Sequence, residues 1–229
     1  RPLSLCEITM FPMDHGIFSS GSSIATVSYV TNAFTTAPAN PKTWSGISLG
    51  TAANNRKIVA ALACRGTTAP AITGVTIAGI TATFVVKQQS SSTDSYMELW
   101  EAAVPTGTTG DIVVTYASLP GAAENIAVFA VYGAAATAYA SASSNANPLN
   151  ASINVPANGV CIAAVRDIEA SHSWTNLTEP YDVGGAAAQQ SGASDAFATA
   201  QTGLSISSSP STDGNGALTL ASWAPSYRN

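Results

Sequence analysis

The chain is predicted to be all-β: an antiparallel β-sandwich, jelly-roll-like, with an extended N-terminal arm. Three observations on its 229 residues point there. Helical periodicity is nearly absent. Short β-branched or alternating runs recur with Gly, Pro, Asn and Ser between them, which is the punctuation of strands and turns. Apolar residues make up 46% of the chain but are spread over both faces of many short segments, as a two-layer β structure requires.

Each element follows in order. Residues 1–22 read as the arm, because Pro2, Pro12 and the GIFSSGSS stretch discourage regular structure. Strands are expected at IATVSYV (24–30), WSGISLG (44–50), KIVAALACR (57–65), GVTIAGITATFVVKQ (74–88), SYMELWEAAV (95–104) and DIVVTYA (111–117). A second series runs NIAVFAVYG (125–133), NASINV (150–155), GVCIAAVRD (159–167), WTNLTEPYDV (174–183), GASDAFATA (192–200), LSISS (204–208) and ALTLASW (217–223). The Ala-rich tract GAAATAYASASSN is assigned to strand or loop, because Ser and Thr interrupt it and Gly133 and Pro148 flank it.

The order of phrases echoes itself. KIVAALACRG, SYMELWEAAVPTG, DIVVTYA and IAVFAVYG are answered by GVCIAAVRD, GASDAFATAQTG, LSISS and ALTLASWAP. The offset is about 90–105 residues, far longer than the roughly 20–50-residue units of solenoids. Residues 23–229 therefore read as two related halves, about 23–140 and 141–229. The halves either face each other as two sheets of one sandwich or form tandem small sandwiches. Short connections such as VPANG (155–159) favour one jelly-roll-like unit.

Charge and cysteine content exclude several classes. Eight Lys and Arg against thirteen Asp and Glu give a net charge of −5, with no basic patch to neutralise phosphates, so no nucleic-acid partner is expected. The longest apolar tract, IAVFAVYGAAA (126–136), falls well short of the ~18 residues of a membrane span. Cys6, Cys64 and Cys161 lack the spacing of zinc knuckles or redox CxxC motifs. Cys64 and Cys161 lie in apolar strand contexts and read as buried thiols, with a bridge between them left open. Cys6 lies in the arm, where an intermolecular disulfide is the alternative to a free thiol. RPLSLCEITMFPM does not follow the pattern of a secretory signal, and a chain beginning at Arg1 reads as trimmed.

Chemistry-bearing residues are few. SYMELWEAAVPTGTTGDIVVTY holds Glu98, Glu101 and Asp111. Strand positions three apart face opposite ways, so Glu98 and Glu101 do not converge as a glycosidase pair must. The stretch reads as a structural hairpin, with Asp111 bonding local backbone N–H groups at its Gly-flanked turn. His15 and His172 are the only histidines, and no GxSxG elbow accompanies them. His172, in DIEASHSW, reads as solvated or turn-stabilising. STDGNGAL (211–218), with Asp213 and Asn215, reads as a hairpin turn rather than a calcium loop. Trp44, Trp100, Trp174 and Trp223 sit within strands, where packing is the default role. Trp44 and Trp174 are the candidates for a glycan-stacking platform. No catalytic residue, metal or cofactor is expected. A hydrolase becomes arguable only if two acids such as Glu179 and Asp182 share a cleft with a third partner.

GVTIAGITATF, a Ser-rich gap, ELWEAAVPTGTTGDIVVTYAS and NIAVFAVYG, in that order, resemble a β domain recurrent in tailed-bacteriophage virion proteins. SWTNLTEPYD, SGASDAFATAQ and LTLASWAP resemble its second half, so the likeness covers residues 56 to 225 or so. The resemblance implies a non-enzymatic, surface-exposed structural protein of the capsid-decoration, head-fibre or tail-fibre type. Its partners would be sister subunits and other virion proteins of capsid, neck or tail, in a homo-oligomer for which a trimer suits a fibre or threefold site. The arm, with Phe11, Met13, Ile17 and Phe18, would dock on a neighbour by strand addition or groove binding. The alternative is a carbohydrate-binding adhesin or lectin-like module, recognising a host surface glycan.

Overall fold

The computed structural model describes residues 24–66, 70–168, 171–184, 189–209 and 216–226. Phe11, Met13, Ile17 and Phe18 of the arm, with Cys6, His15, Asp213 and Asn215, lie outside the described residues.

Among the described residues every ladder is antiparallel, and seventeen strands build four sheets. The first nine are β1 (Thr26–Thr35), β2 (Lys42–Ser48), β3 (Arg56–Arg65), β4 (Ile72–Ile77), β5 (Ile80–Thr81), β6 (Thr83–Gln89), β7 (Ser95–Ala103), β8 (Thr109–Tyr116) and β9 (Ala123–Tyr132). The remaining eight are β10 (Ala140–Ser144), β11 (Leu149–Val155), β12 (Gly159–Asp167), β13 (Ser173–Thr175), β14 (Tyr181–Val183), β15 (Gln189–Phe197), β16 (Gln201–Ser209) and β17 (Ala217–Trp223). The first half forms an inner sheet in the order β1-β9-β3-β7-β6 and an outer sheet β2-β8-β4-β5. The second half forms an inner sheet β10-β17-β12-β15-β14 and an outer sheet β11-β16-β13.

These sheets stack face to face as four layers, with a core in each of the three gaps. On β3, Ile58, Ala60 and Leu62 pack toward the first half's outer sheet, while Val59, Ala61 and Ala63 pack toward the second half. On β12, Cys161, Ala163 and Val165 serve the outer core, and Val160, Ile162 and Ala164 the central one. A strand covered on both faces reads as a continuous apolar run rather than an alternating one. KIVAALACR and GVCIAAV have that form. The β-sandwich expectation holds, but each half supplies a pair of sheets rather than a single sheet of a two-layer body.

The sequence echo is a repeat of strand order. Read across the inner sheets, β1, β9, β3, β7 and β6 correspond one by one to β10, β17, β12, β15 and β14. In the outer sheets β2, β8 and β4 correspond to β11, β16 and β13, and β5 is an addition of the first half. The two inner sheets face each other across the central core, with β1 over β14 and β15, and β10 over β6.

Three segments differ from the sequence reading. GVTIAGITATFVVKQ is not one strand: Ala78 (φ 51°) and Gly79 (φ 78°) turn the chain back in the left-handed region, and β4 and β6 belong to different sheets. WTNLTEPYDV breaks into β13 and β14, with Pro180 between them. SYMELWEAAVPTGTTGDIVVTY is not a hairpin. β7 lies in the inner sheet between β3 and β6, and the chain then crosses the core to start β8 in the outer sheet. Asp111 bonds no local turn. Its Oδ1 accepts the Gly46 N–H from β2 at 2.8 Å.

Candidate functional site between the inner sheets

Where the inner sheets end at β6 and β10, the seam between them is open. Glu101, on the inward face of β7, forms its floor. Glu101 Oε2 accepts hydrogen bonds from Lys57 Nζ and from Trp223 Nε1, each at 2.7 Å. Lys57 also donates to the Ala136 carbonyl at 2.9 Å, and its ammonium sits 5.7 Å from the Trp223 ring centroid. Burial holds the Lys57 ammonium below its usual pKa, and the Glu101 carboxylate partly offsets this. Strand register explains why these side chains meet. Glu101 is two residues beyond Leu99, so it faces the central core, and Trp223 ends the strand of the second half that lies over β7.

Two adjoining hollows, of about 370 and 360 Å³, share Glu101 and Thr83. Thr83 pairs directly with Glu101 across β6 and β7 and so lies on the same face. Asn54, Asn55 and Thr81 border the first hollow, and Tyr139 and Ser141 the second. Arg56 also lines the first, but its guanidinium is spent. It donates to the carbonyls of Leu49, Gly50, Val104, Thr106 and Gly107 at 2.7–3.0 Å. The charged groups lining the two hollows are Arg56, Lys57 and Glu101, and each is already engaged.

At the opposite end, between β1 and β14, the seam is filled. Tyr181 stacks on Tyr29 with centroids 4.9 Å apart and rings 14° from parallel, and Phe129 meets Tyr29 edge-on at 5.9 Å. The ring of Tyr181 lies over Gly192 on β15, where a methyl group would collide with it. Asn32 adds a side-chain hydrogen bond to the Tyr29 hydroxyl.

The residues singled out from the sequence are scattered. Glu98 faces the outer core, is 2% exposed, and accepts hydrogen bonds from Trp100 Nε1 at 2.7 Å and from Lys87 at 3.1 Å. Burial pushes its carboxyl up, and Trp100 and Lys87 oppose that. Glu98 and Glu101 are therefore parted by the sheet itself. Trp44 lies in the first half's outer core and Trp174 packs on the second half's, so they form no common platform. The Trp174 indole donates to Ser191 Oγ at 2.9 Å.

His172 is neither solvated nor merely a turn residue. It is buried, and its Nδ1 meets Ser208 Oγ at 2.8 Å. Asp182 accepts the backbone N–H of His172 at 3.1 Å rather than orienting the ring, and Ser208 is 1% exposed. That is not the arrangement of a nucleophilic triad. Glu179 and Asp182 do meet, in a direct hydrogen bond. Partial burial and the Asp182 carboxylate raise the Glu179 pKa to about 7. Two carboxyl groups in such contact leave no room for the glycosidic oxygen that must sit between catalytic acids. Cys64 and Cys161 are free and buried, and burial pushes the Cys64 thiol up to about 12.

Sequence reasoning missed the Lys57–Glu101–Trp223 group. The strand parity of Glu101 was legible, but its partners come from a different strand and a different half. No family model, curated protein or solved structure matches the chain.

Proposed function

We propose that the protein is a non-enzymatic structural component of a tailed-phage virion, present in many copies on its surface as a decoration or fibre subunit. One observation carries this reading: four buried charges, Arg56, Lys57, Glu98 and Glu101, are consumed internally. Glu98 is held by Trp100 and Lys87, Glu101 by Lys57 and Trp223, and Arg56 by five carbonyls. Buried groups committed in this way stiffen a scaffold instead of waiting for a substrate. The phage assignment rests on the order of sequence phrases, and those phrases fall on corresponding strands of the two halves. Sister subunits and neighbouring virion proteins are the partners. The adhesin reading that placed a glycan on Trp44 and Trp174 loses support, because both rings face cores.

Light scattering of the purified protein, with cryo-electron microscopy of the parent particle, tests the proposal. A multimer in solution and repeated four-layer density on the particle are expected. A monomer at every concentration, with no such density, would overturn it.

A further inference from the structure

We infer that the open seam between β6 and β10 binds a neutral, polyhydroxylated ligand, a short uncharged glycan. The two ends of the central seam differ in content. One end is sealed by Tyr29, Tyr181 and Phe129. The other holds two adjoining hollows of about 370 and 360 Å³, at the lower end of the roughly 300–1,000 Å³ range of small-molecule sites.

The chemistry of the open end selects the ligand class. Lys57 and Glu101 neutralise one another at 2.7 Å, and the Arg56 guanidinium is fully bonded elsewhere. An anionic or cationic ligand therefore finds no uncompensated charge to replace its hydration, and burying it would be costly. Much of the lining is apolar, from alanines and from Phe84 and Val85, and the uncharged polar groups set into it are amides and hydroxyls, including Asn54, Asn55, Thr81, Thr83 and Ser141. Amides and hydroxyls both donate and accept, as sugar hydroxyls require. Tyr139, 59% exposed, adds an amphipathic ring at the second hollow. The adjoining pair of hollows, which share Thr83 and Glu101, suits two or three sugar rings better than one.

The inference does not rest on the virion proposal. A free monomeric adhesin would fail that test and pass this one.

Titration followed by NMR of the intact chain decides it. The probes are neutral trisaccharides built of hexose, deoxyhexose or N-acetylhexosamine, with an N-acetylneuraminyl trisaccharide and a glucosamine trimer as charged comparisons. At least one neutral trisaccharide is expected to bind with Kd of about 1 mM or tighter, shifting amides of β6, β10 and the 133–139 connection. Tyr139→Ala, and Thr83→Trp placed to fill the seam, should each weaken that binding at least tenfold while leaving the melting temperature near that of the parent. The inference is overturned if no neutral probe binds, if only the charged probes bind, or if both variants bind as the parent does.

Discussion

The two ends of the central seam are filled in different ways. Both lie between edge strands of the inner sheets, one set by β1 and β14, the other by β6 and β10. At the first end the second half's edge strand is only three residues, Tyr181–Val183, and aromatic rings fill the gap. At the second end the edge strand Thr83–Gln89 is longer, carries a bulge between Phe84 and Val86, and overlooks a buried ion pair with space above it. The difference separates what the fold demands from what this chain has added. Packing demands that the seam be dry somewhere, and the aromatic end meets that demand. The open end keeps Lys57 and Glu101 out of water at a desolvation cost that an apolar pair would avoid.

The largest change should come from breaking the ion pair. Glu101→Ala leaves the Lys57 ammonium buried without its counter-ion and removes the acceptor of the Trp223 indole. Loss of about 3–5 kcal/mol is expected in urea unfolding. The double variant Lys57→Met with Glu101→Leu should recover most of it, since an apolar pair of similar volume removes the uncompensated charge. If the double variant is as unstable as the single one, the cost lies in packing rather than charge.

At the sealed end, Gly192→Ala should cost about 1–3 kcal/mol by forcing the Tyr181 ring off β15. Adding Tyr181→Ala to that variant should give less than the sum of the separate effects, because the clash has gone. Additivity would mean that Gly192 and Tyr181 are not in contact.

The acid pair near β14 gives a pH signature. Glu179 keeps to about pH 7 a proton that the unfolded chain releases near 4.5. The folded state is thus favoured at pH 4, and that advantage is lost as pH rises through about 4.5 to 7. Carboxyl carbon NMR should show Glu179 titrating near 7, and Asp182→Asn should bring it down toward the ordinary value. An unchanged midpoint in Asp182→Asn would remove the carboxylate contact as a cause. The smallest stability effect belongs to Tyr139→Ala, within about 0.5 kcal/mol by thermal melting, because the side chain is largely exposed.

Strand content was legible because its signals are local. The tracts GVCIAAVRD and NIAVFAVYG carry enough β-branched and apolar character to define β12 and β9 without tertiary information. The four-layer stack departs from the two layers expected, although the sequence carries its mark. Continuous runs such as KIVAALACR mark strands buried on both faces, and a two-layer body would have favoured alternation. The apparent hairpin at 95–116 failed for a related reason. Neighbours in sequence are usual partners, but β7 is an inner strand whose two sides are taken by β3 and β6. The open seam was the least legible feature. Glu101 could be assigned a face from its parity, but Lys57 lies 44 residues away and Trp223 lies 122 away. Only the mutual docking of the two halves joins them.

That docking is the central claim, and native-state amide hydrogen exchange reads it most directly. If the halves share one central core, amides of β3 and β12 should exchange only through global unfolding, with the same free energy in both halves. Outer strands β2 and β11 should open at lower cost. Two distinct plateaus, one for each half, or protection in β12 no greater than in β11, would contradict a four-layer body locked at its centre.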